Sequence, residues 1–91
     1  MKQFYYVYVL LSEKDKKFYT GYTNNLQGRF EEHVNGRVIS TKNRRPLKLI
    51  YSEACLDRED ALEREINLKT TYGKRFLRNR LKSFLTGFKI L

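Results

Sequence analysis

Apolar residues fill consecutive positions from the fourth residue onward. Phe4, Tyr6, Tyr8 and Leu10 fall on one side of an extended chain, and Tyr5, Val7, Val9 and Leu11 on the other. Both sides are apolar, which predicts a strand over 4–11 in the centre of a sheet. A polar turn over 12–17 leads to a second short strand over 18–22, and the spacing suits an antiparallel hairpin. A third apolar run over 47–54 reads as another strand, with Leu47, Leu49 and Tyr51 on one face.

Between the second and third strands the period changes. Thr23, Asn24 and Asn25 offer helix N-caps, and Asn35-Gly36 offers a stop. Leu26, Phe30 and Val34 form the apolar stripe of the helix between them. Gly28 costs that helix ~1 kcal/mol relative to Ala and leaves room for a close approach by another element. Residues 37–46 read as a basic loop ending at Pro46. Asp57 caps a second helix over about 58–71, with Glu59 and Asp60 at its positive end and Gly73 as its stop. A third helix over about 74–85 ends at Gly87. The order β-β-α-β-α-α predicts a small α/β domain, with a central three-stranded antiparallel sheet flanked by about three helices.

Composition limits what such a fold can be. Ninety-one residues, 41% of them hydrophobic, suit one domain over 1–91 with a single modest core. No apolar run approaches the ~20 residues of a membrane span, and no cleavable signal pattern opens the chain. The one cysteine, Cys55, has no internal disulfide partner, which fits a reducing, cytoplasmic setting. Lys and Arg outnumber Asp and Glu by 19 to 10, a net charge of +9. No acid occurs over 34–52, where Arg37, Lys42, Arg44, Arg45 and Lys48 lie. None follows Glu65, where Lys69, Lys74, Arg75, Arg78, Arg80, Lys82 and Lys89 lie. Regions of one sign attract polyanions, and nucleic acid is the expected partner.

One acid sits where an apolar residue belongs. At roughly 100° per residue, Glu65 falls among Ala61, Leu68 and Tyr72, while Glu63, Arg64, Asn67 and Thr70 take the far side. A carboxylate on a buried face needs a partner. Two readings fit: a structural role, as an ion pair, for instance with Arg29, or on a helix edge wetter than the wheel implies, or else a metal ligand or catalytic acid at the end of a cleft. On the first helix Arg29 and His33 are neighbours four residues apart, on a row flanking the apolar stripe. Arg29 suits a phosphate oxygen. His33 is the only histidine, so a multi-histidine metal site is excluded. On the third helix Leu77, Leu81 and Phe84 make a core stripe. Arg75, Arg78 and Lys82 make an opposite row suited to phosphates.

Taken together, these segments resemble a known family. YVYVL at 6–10, YTGYT at 19–23, Arg29, EHVNG at 32–36, RRPLKLIY at 44–51 and EREINLK at 63–69 are similar to the GIY-YIG nuclease domain. The likeness spans about 4–82 and is greatest to small stand-alone bacterial members, a group related to the N-terminal nuclease domain of a bacterial excision-repair protein. The resemblance implies a three-stranded antiparallel sheet flanked by helices, and metal-dependent hydrolysis of a phosphodiester. It implies catalytic roles for Tyr8, Tyr19, Arg29 and His33, a closing-glycine role for Gly21, and a catalytic and metal-binding role for Glu65 with Mg²⁺ or Mn²⁺. Tyr6 departs from the family pattern, which has glycine there. Asn79 is a candidate for an asparagine found in larger members.

The expected activity is a DNA endonuclease of repair or recombination, directed by structure or acting on single-stranded or damaged DNA. RNA and a protein partner that supplies recognition are left open, as is the oligomeric state. Arg37, Lys42, Arg44, Arg45, Lys69, Lys74, Arg75, Arg78 and Lys82 are the expected nucleic-acid contacts. The alternative is a non-catalytic nucleic-acid-binding module that keeps the fold. A protein-interaction adaptor leaves the basic rows unexplained.

Overall fold

The strand apolar on both sides, β1 (Tyr5–Ser12), does lie in the middle of the sheet. In the computed structural model, which describes residues 3–87, β1 pairs antiparallel with β2 (Phe18–Thr23) on one edge and with β3 (Leu47–Cys55) on the other. Val7, Tyr8, Val9, Leu10 and Leu11 are all essentially inaccessible to solvent. Five helices complete the described chain: α1 (Leu26–Val34), α2 (Ile39–Lys42), α3 (Arg58–Leu68), α4 (Thr71–Arg80) and α5 (Lys82–Gly87).

The two faces of β1 bury against different helices. Val7 and Val9 pack with Ala61 and Leu68 of α3 and Leu77 of α4. Tyr8 and Leu10 pack with Leu47 and Leu49 of β3 and Leu26 and Phe30 of α1. Each fully buried Val or Leu contributes ~1.5–3 kcal/mol, so the double-sided strand is the main apolar anchor. Val34, expected on the α1 stripe, is instead 46% exposed at the end of its helix. Phe84 of the expected third-helix stripe is half-buried in α5, and Leu85 beside it is sealed. The remainder of the apolar tail, 88–91, lies outside the described residues.

Three departures from the expected order have local causes. The register of β3 against β1 passes from Val9↔Tyr51 directly to Leu10↔Leu49, leaving Ile50 as a bulge. Leu47 and Leu49 therefore share the Tyr8 face, while Tyr51 turns to the Val7–Val9 face. Within the expected loop 37–46, a single turn, α2, forms and buries Thr41. The expected 58–71 helix stops at Leu68, because Thr70 caps a new one: its hydroxyl donates to Asn67 O at 2.7 Å and accepts from Gly73 N at 3.1 Å. Tyr72 thereby leaves the α3 stripe and is 76% exposed.

Other caps follow the sequence. Asn25 Oδ1 accepts from Gly28 N at 3.1 Å and Asp57 Oδ1 from Glu59 N at 2.8 Å. The close approach at Gly28 is by the Asn25 side chain itself. Gly36 closes α1 at φ 73°, a left-handed conformation that favours glycine. No helix among the described residues is long and apolar enough to cross a membrane.

Gly73, expected as a stop, is a packing residue. It lies in the first turn of α4, and a Cβ there would overlap Asn67 O and Leu68 Cα at the end of α3. Backbone cannot yield cheaply, so we expect Gly73→Ala to destabilise the fold by ~1–3 kcal/mol. The measurement is urea unfolding: the midpoint should fall at unchanged slope, and an unmoved midpoint would contradict this packing.

Candidate active site

The hairpin register sets Tyr8 directly across from Gly21 and places Tyr19 two residues along the same face. The Tyr8 phenol lies over Gly21. A Cβ at Gly21 would sit 2.5 Å from the Tyr8 hydroxyl, so glycine there is a matter of room. This orientation sends the hydroxyl to α1, where it meets His33 Nε2 at 2.8 Å. The other imidazole nitrogen, Nδ1, is 2.7 Å from Thr41 Oγ1 of α2. Tyr8, His33 and Thr41 are all at most 1% exposed, so the chain of hydroxyl, imidazole and hydroxyl is sealed.

Tyr19 and Arg29 form the more accessible side of this cluster. The Tyr19 ring packs edge-on against His33, centroids 5.2 Å apart, and stands 6.5 Å from the Tyr8 ring. Ser40 Oγ lies 3.5 Å from the Tyr19 hydroxyl. Arg29, one turn before His33, pairs with Glu32 through Nη1 at 3.1 Å and keeps 37% of its side chain exposed. The Tyr8 hydroxyl and Glu32 raise the pKa of its guanidinium, against the opposing effect of burial.

Burial dominates the electrostatics. It raises the Tyr8 pKa above the usual phenol value; Arg29 opposes the rise, while Tyr19 and Glu65 add to it. Tyr8 is therefore a neutral phenol at neutral pH. Burial, aided by Arg29, lowers the His33 pKa to about 4, so the imidazole is neutral as well. Either nitrogen of the neutral ring can hold its proton.

Glu65 is neither free nor entombed. Its carboxylate is 20% exposed and pairs with Lys69 Nζ at 3.4 Å. Of the two readings open from sequence, an ion pair is present, though with Lys69 and not Arg29. Ile66 beside it is 67% exposed, so this stretch of α3 is wetter than the helical wheel implied. The Glu65 charge adds to the rise of the Tyr8 pKa. Among the described residues no three His, Cys, Asp or Glu side chains gather as a metal cluster. A Mg²⁺-like ion needs no such cage: one carboxylate, waters and substrate phosphate oxygens suffice. The partly exposed Glu65 fits that minimal role.

The expected basic contacts divide. Arg44 is tied to the hairpin turn, with Nε 2.6 Å from Asp15 Oδ2 and Nη2 3.2 Å from Lys17 O. Arg45 donates to Lys42 O and Val34 O, at 3.0 and 3.2 Å, across Gly36. Both arginines thus hold the 37–46 segment in place. Arg75 and Arg78 lie over the rings of Tyr72 and Phe18. Lys17, Arg44, Lys74 and Arg78 share a basic hollow of about 500 Å³ with Asp15. Arg37, Lys42, Lys69 and Lys82 are exposed, as is Asn79. A larger groove of about 1010 Å³, lined by Phe4, Tyr6, Leu26 and Phe30 among others, runs beside the cluster and contains none of its polar groups.

Thr41 was not anticipated. A polar residue inside a basic run has no periodicity to mark it, and only the unforeseen turn of α2 brings it beneath His33.

A family model described as the GIY-YIG catalytic domain matches residues 4–82. The chain belongs to the GIY-YIG family. It is 40% identical over 67 residues to the UPF0213 protein SH2523 of Staphylococcus haemolyticus, a match covering 72% of this chain and 80% of that one. It is 44% identical over 68 residues to a UPF0213 protein of Limosilactobacillus reuteri, covering 71% and 70%. The solution NMR structure of the UPF0213 protein BH0048 from Bacillus halodurans is similar with a TM-score of 0.53 and 32% identity, over 84% of this chain and 83% of that one. The GIY-YIG sheet, β2-β1-β3 with helices, is the fold expected from sequence. Within it, the two signature tyrosines and the closing glycine are adjacent across the hairpin.

The neutral His33 has a consequence for stability. Its folded pKa, about 4, lies below the ordinary 6.5. The unfolded chain binds its proton first as pH falls. The contribution of His33 is whole above about pH 6.5 and is lost progressively towards pH 4. We expect stability to drop by ~1–3 kcal/mol over that window. His33→Gln should flatten the dependence. Thermal unfolding of both proteins at stepped pH is the measurement, and parallel curves would refute a buried neutral His33.

Proposed function

We propose that the chain is a divalent-metal-dependent endonuclease that hydrolyses DNA phosphodiester bonds, with Tyr8, Tyr19, Arg29, His33 and Glu65 as its working groups. The observation that carries this is the sealed bond from the Tyr8 hydroxyl to His33 Nε2, 2.8 Å long, beside a partly exposed arginine. A structural core does not need a phenol bonded to an imidazole near a guanidinium, whereas phosphodiester hydrolysis can use all three.

The roles follow from chemistry and position. Arg29 engages a phosphoryl oxygen and stabilises the charge that grows there in the pentavalent transition state. Tyr19, half-buried above His33, orients the attacking water. Tyr8 is too weak an acid to be present as a phenolate at neutral pH, and burial weakens its acidity further. It acts instead by exchange once substrate binding admits a water to the cluster: its oxygen takes the water proton as its own proton passes to His33 Nε2, so no phenolate accumulates. Glu65 would hold the ion, releasing Lys69 to the substrate backbone. The ion, when bound, would withdraw charge from the phosphoryl oxygens. The strand-tracking surface is the basic hollow of Lys17, Lys74 and Arg78, with Arg75 and Lys82 alongside.

A second reading, a nucleic-acid-binding module without catalysis, is favoured by the Glu65–Lys69 pair, which satisfies the carboxylate without an ion. A cleavage panel over linear, branched and single-stranded DNA separates the two. We expect nicking with Mg²⁺ or Mn²⁺ and none with chelator. Arg29→Ala and Glu65→Ala should each lower the rate by ~10²–10³. Tyr8→Phe and Tyr19→Phe should slow cleavage while the fold survives. Binding without metal-dependent cleavage on every substrate would establish the second reading.

A further inference from the structure

The basic hollow between the hairpin turn and α4 lies on the far side of the sheet edge from the tyrosine–histidine cluster. We propose that it is a subsite for a single backbone phosphate, distinct from the phosphate that Arg29 engages, with Lys17, Lys74 and Arg78 as its ligands.

The charges in the hollow do not cancel. Asp15, Lys17, Phe18, Arg44, Lys74 and Arg78 line it. Asp15 is the one acid among them, and Arg44 already engages it, Nε 2.6 Å from Oδ2 and Nη2 3.2 Å from Oδ1. The Arg44 guanidinium holds that carboxyl down at about 2, so the two stay ionised and offset each other. Lys17, Lys74 and Arg78 join no ion pair among the described residues. Three cations therefore face one concave space without a counter-charge.

That arrangement works against the fold. Lys74 and Arg78 are four residues apart on α4, where like charges repel. Lys74 is also near the N-terminus of α4, the positive end of the helix, and α4 carries no acid to offset it. Phe18 holds the third cation in position: the Arg78 guanidinium lies over its ring, 5.4 Å from the centroid. One anion in the hollow would relieve all of these repulsions together. Phosphate suits the donors, since arginine offers a planar fork and each lysine a point charge to its oxygens.

The register of the hairpin says which phosphate it is. Phe18 and Tyr19 are consecutive on β2, an edge strand, so their side chains take opposite faces of the sheet. Tyr19 packs on the Tyr8 face, below α1. Phe18 packs on the face of Val7, Val9 and Leu77, where α4 lies. The hollow and Arg29 are thus on opposite sides of the β2 edge, and one phosphate does not reach both. A polynucleotide supplies two phosphates in one molecule. Gripped on each side of the edge strand, it is fixed in register as well as bound.

The part played in cleavage rests on the nuclease reading; the phosphate site does not. The first test is titration of the full chain with inorganic phosphate, against chloride at equal ionic strength, read from backbone amide NMR shifts. Saturable shifts are expected at Lys17, Phe18, Lys74 and Arg78. Lys74→Gln should abolish the saturation. Without phosphate it should raise the thermal midpoint by ~1–4 °C, because a repulsion is gone. The second test places one neutral methylphosphonate linkage in a DNA strand that is cut with Mg²⁺. Besides the neutral bond itself, cutting should fall by ~10–100-fold at one bond a fixed number of nucleotides away. Lys74→Gln should weaken that second effect. Unsaturable shifts, or equal saturation in Lys74→Gln, would overturn the subsite. So would a cutting pattern indifferent to every neutral linkage but the one at the cut bond. Saturable phosphate binding with no DNA cut at all would sustain the subsite and refute the nuclease reading.

Discussion

The hydrogen bond between the Tyr8 hydroxyl and His33 Nε2 is the constraint around which this small protein is arranged. It joins the central strand to the first helix inside the structure. Its phenol can lie in place only because the residue across the hairpin, Gly21, has no side chain. Its imidazole is held from behind by Thr41. Both partners are neutral, so the bond avoids the large penalty of burying a charge. A charged arginine nonetheless stands at its edge, where solvent still reaches it.

That gradient from neutral floor to charged rim gives the site its character. Tyr8, His33 and Thr41 are dry, whereas Tyr19, Arg29 and Glu65 are partly wet. A guanidinium beside a low-dielectric pocket projects its field further than one surrounded by water. The depressed His33 pKa reflects that field as well as burial. An anion placed against Arg29 would offset the field and make protonation of His33 easier. Coupled to the proposed chemistry, substrate binding would itself improve the proton acceptor.

What was legible in the sequence was whatever periodicity controls. The period of two put Tyr8 and Tyr19 on one face, and the helical spacing of four put Arg29 and His33 in one row. What escaped was whatever interrupts a period. Ile50 is a single unpaired residue, and it moves Tyr51 to the opposite face from Leu49. Thr70 breaks an apolar pattern that runs on through Tyr72, so the break expected at Gly73 falls three to four residues earlier. Glu65 was singled out by a wheel that included Tyr72, and of its alternatives the wetter helix edge and the ion pair are both present. Thr41 lay in a run with no period at all. Its role depends on contacts with His33, eight residues away along the chain and separated from it by a left-handed glycine.

The two arginines that pin the 37–46 segment give the basic surface two kinds of cation. Arg75 and Arg78 rest on rings, and Lys74 and Lys82 extend into solvent; a polyanion must immobilise these long side chains one by one, at an entropic cost for each. Arg44 and Arg45 are already immobile, held by Asp15 and by backbone oxygens. Any N–H edge they leave unused is presented in a fixed direction before a ligand arrives. Such a surface would gain overall affinity from its mobile charges and a defined approach from its fixed ones.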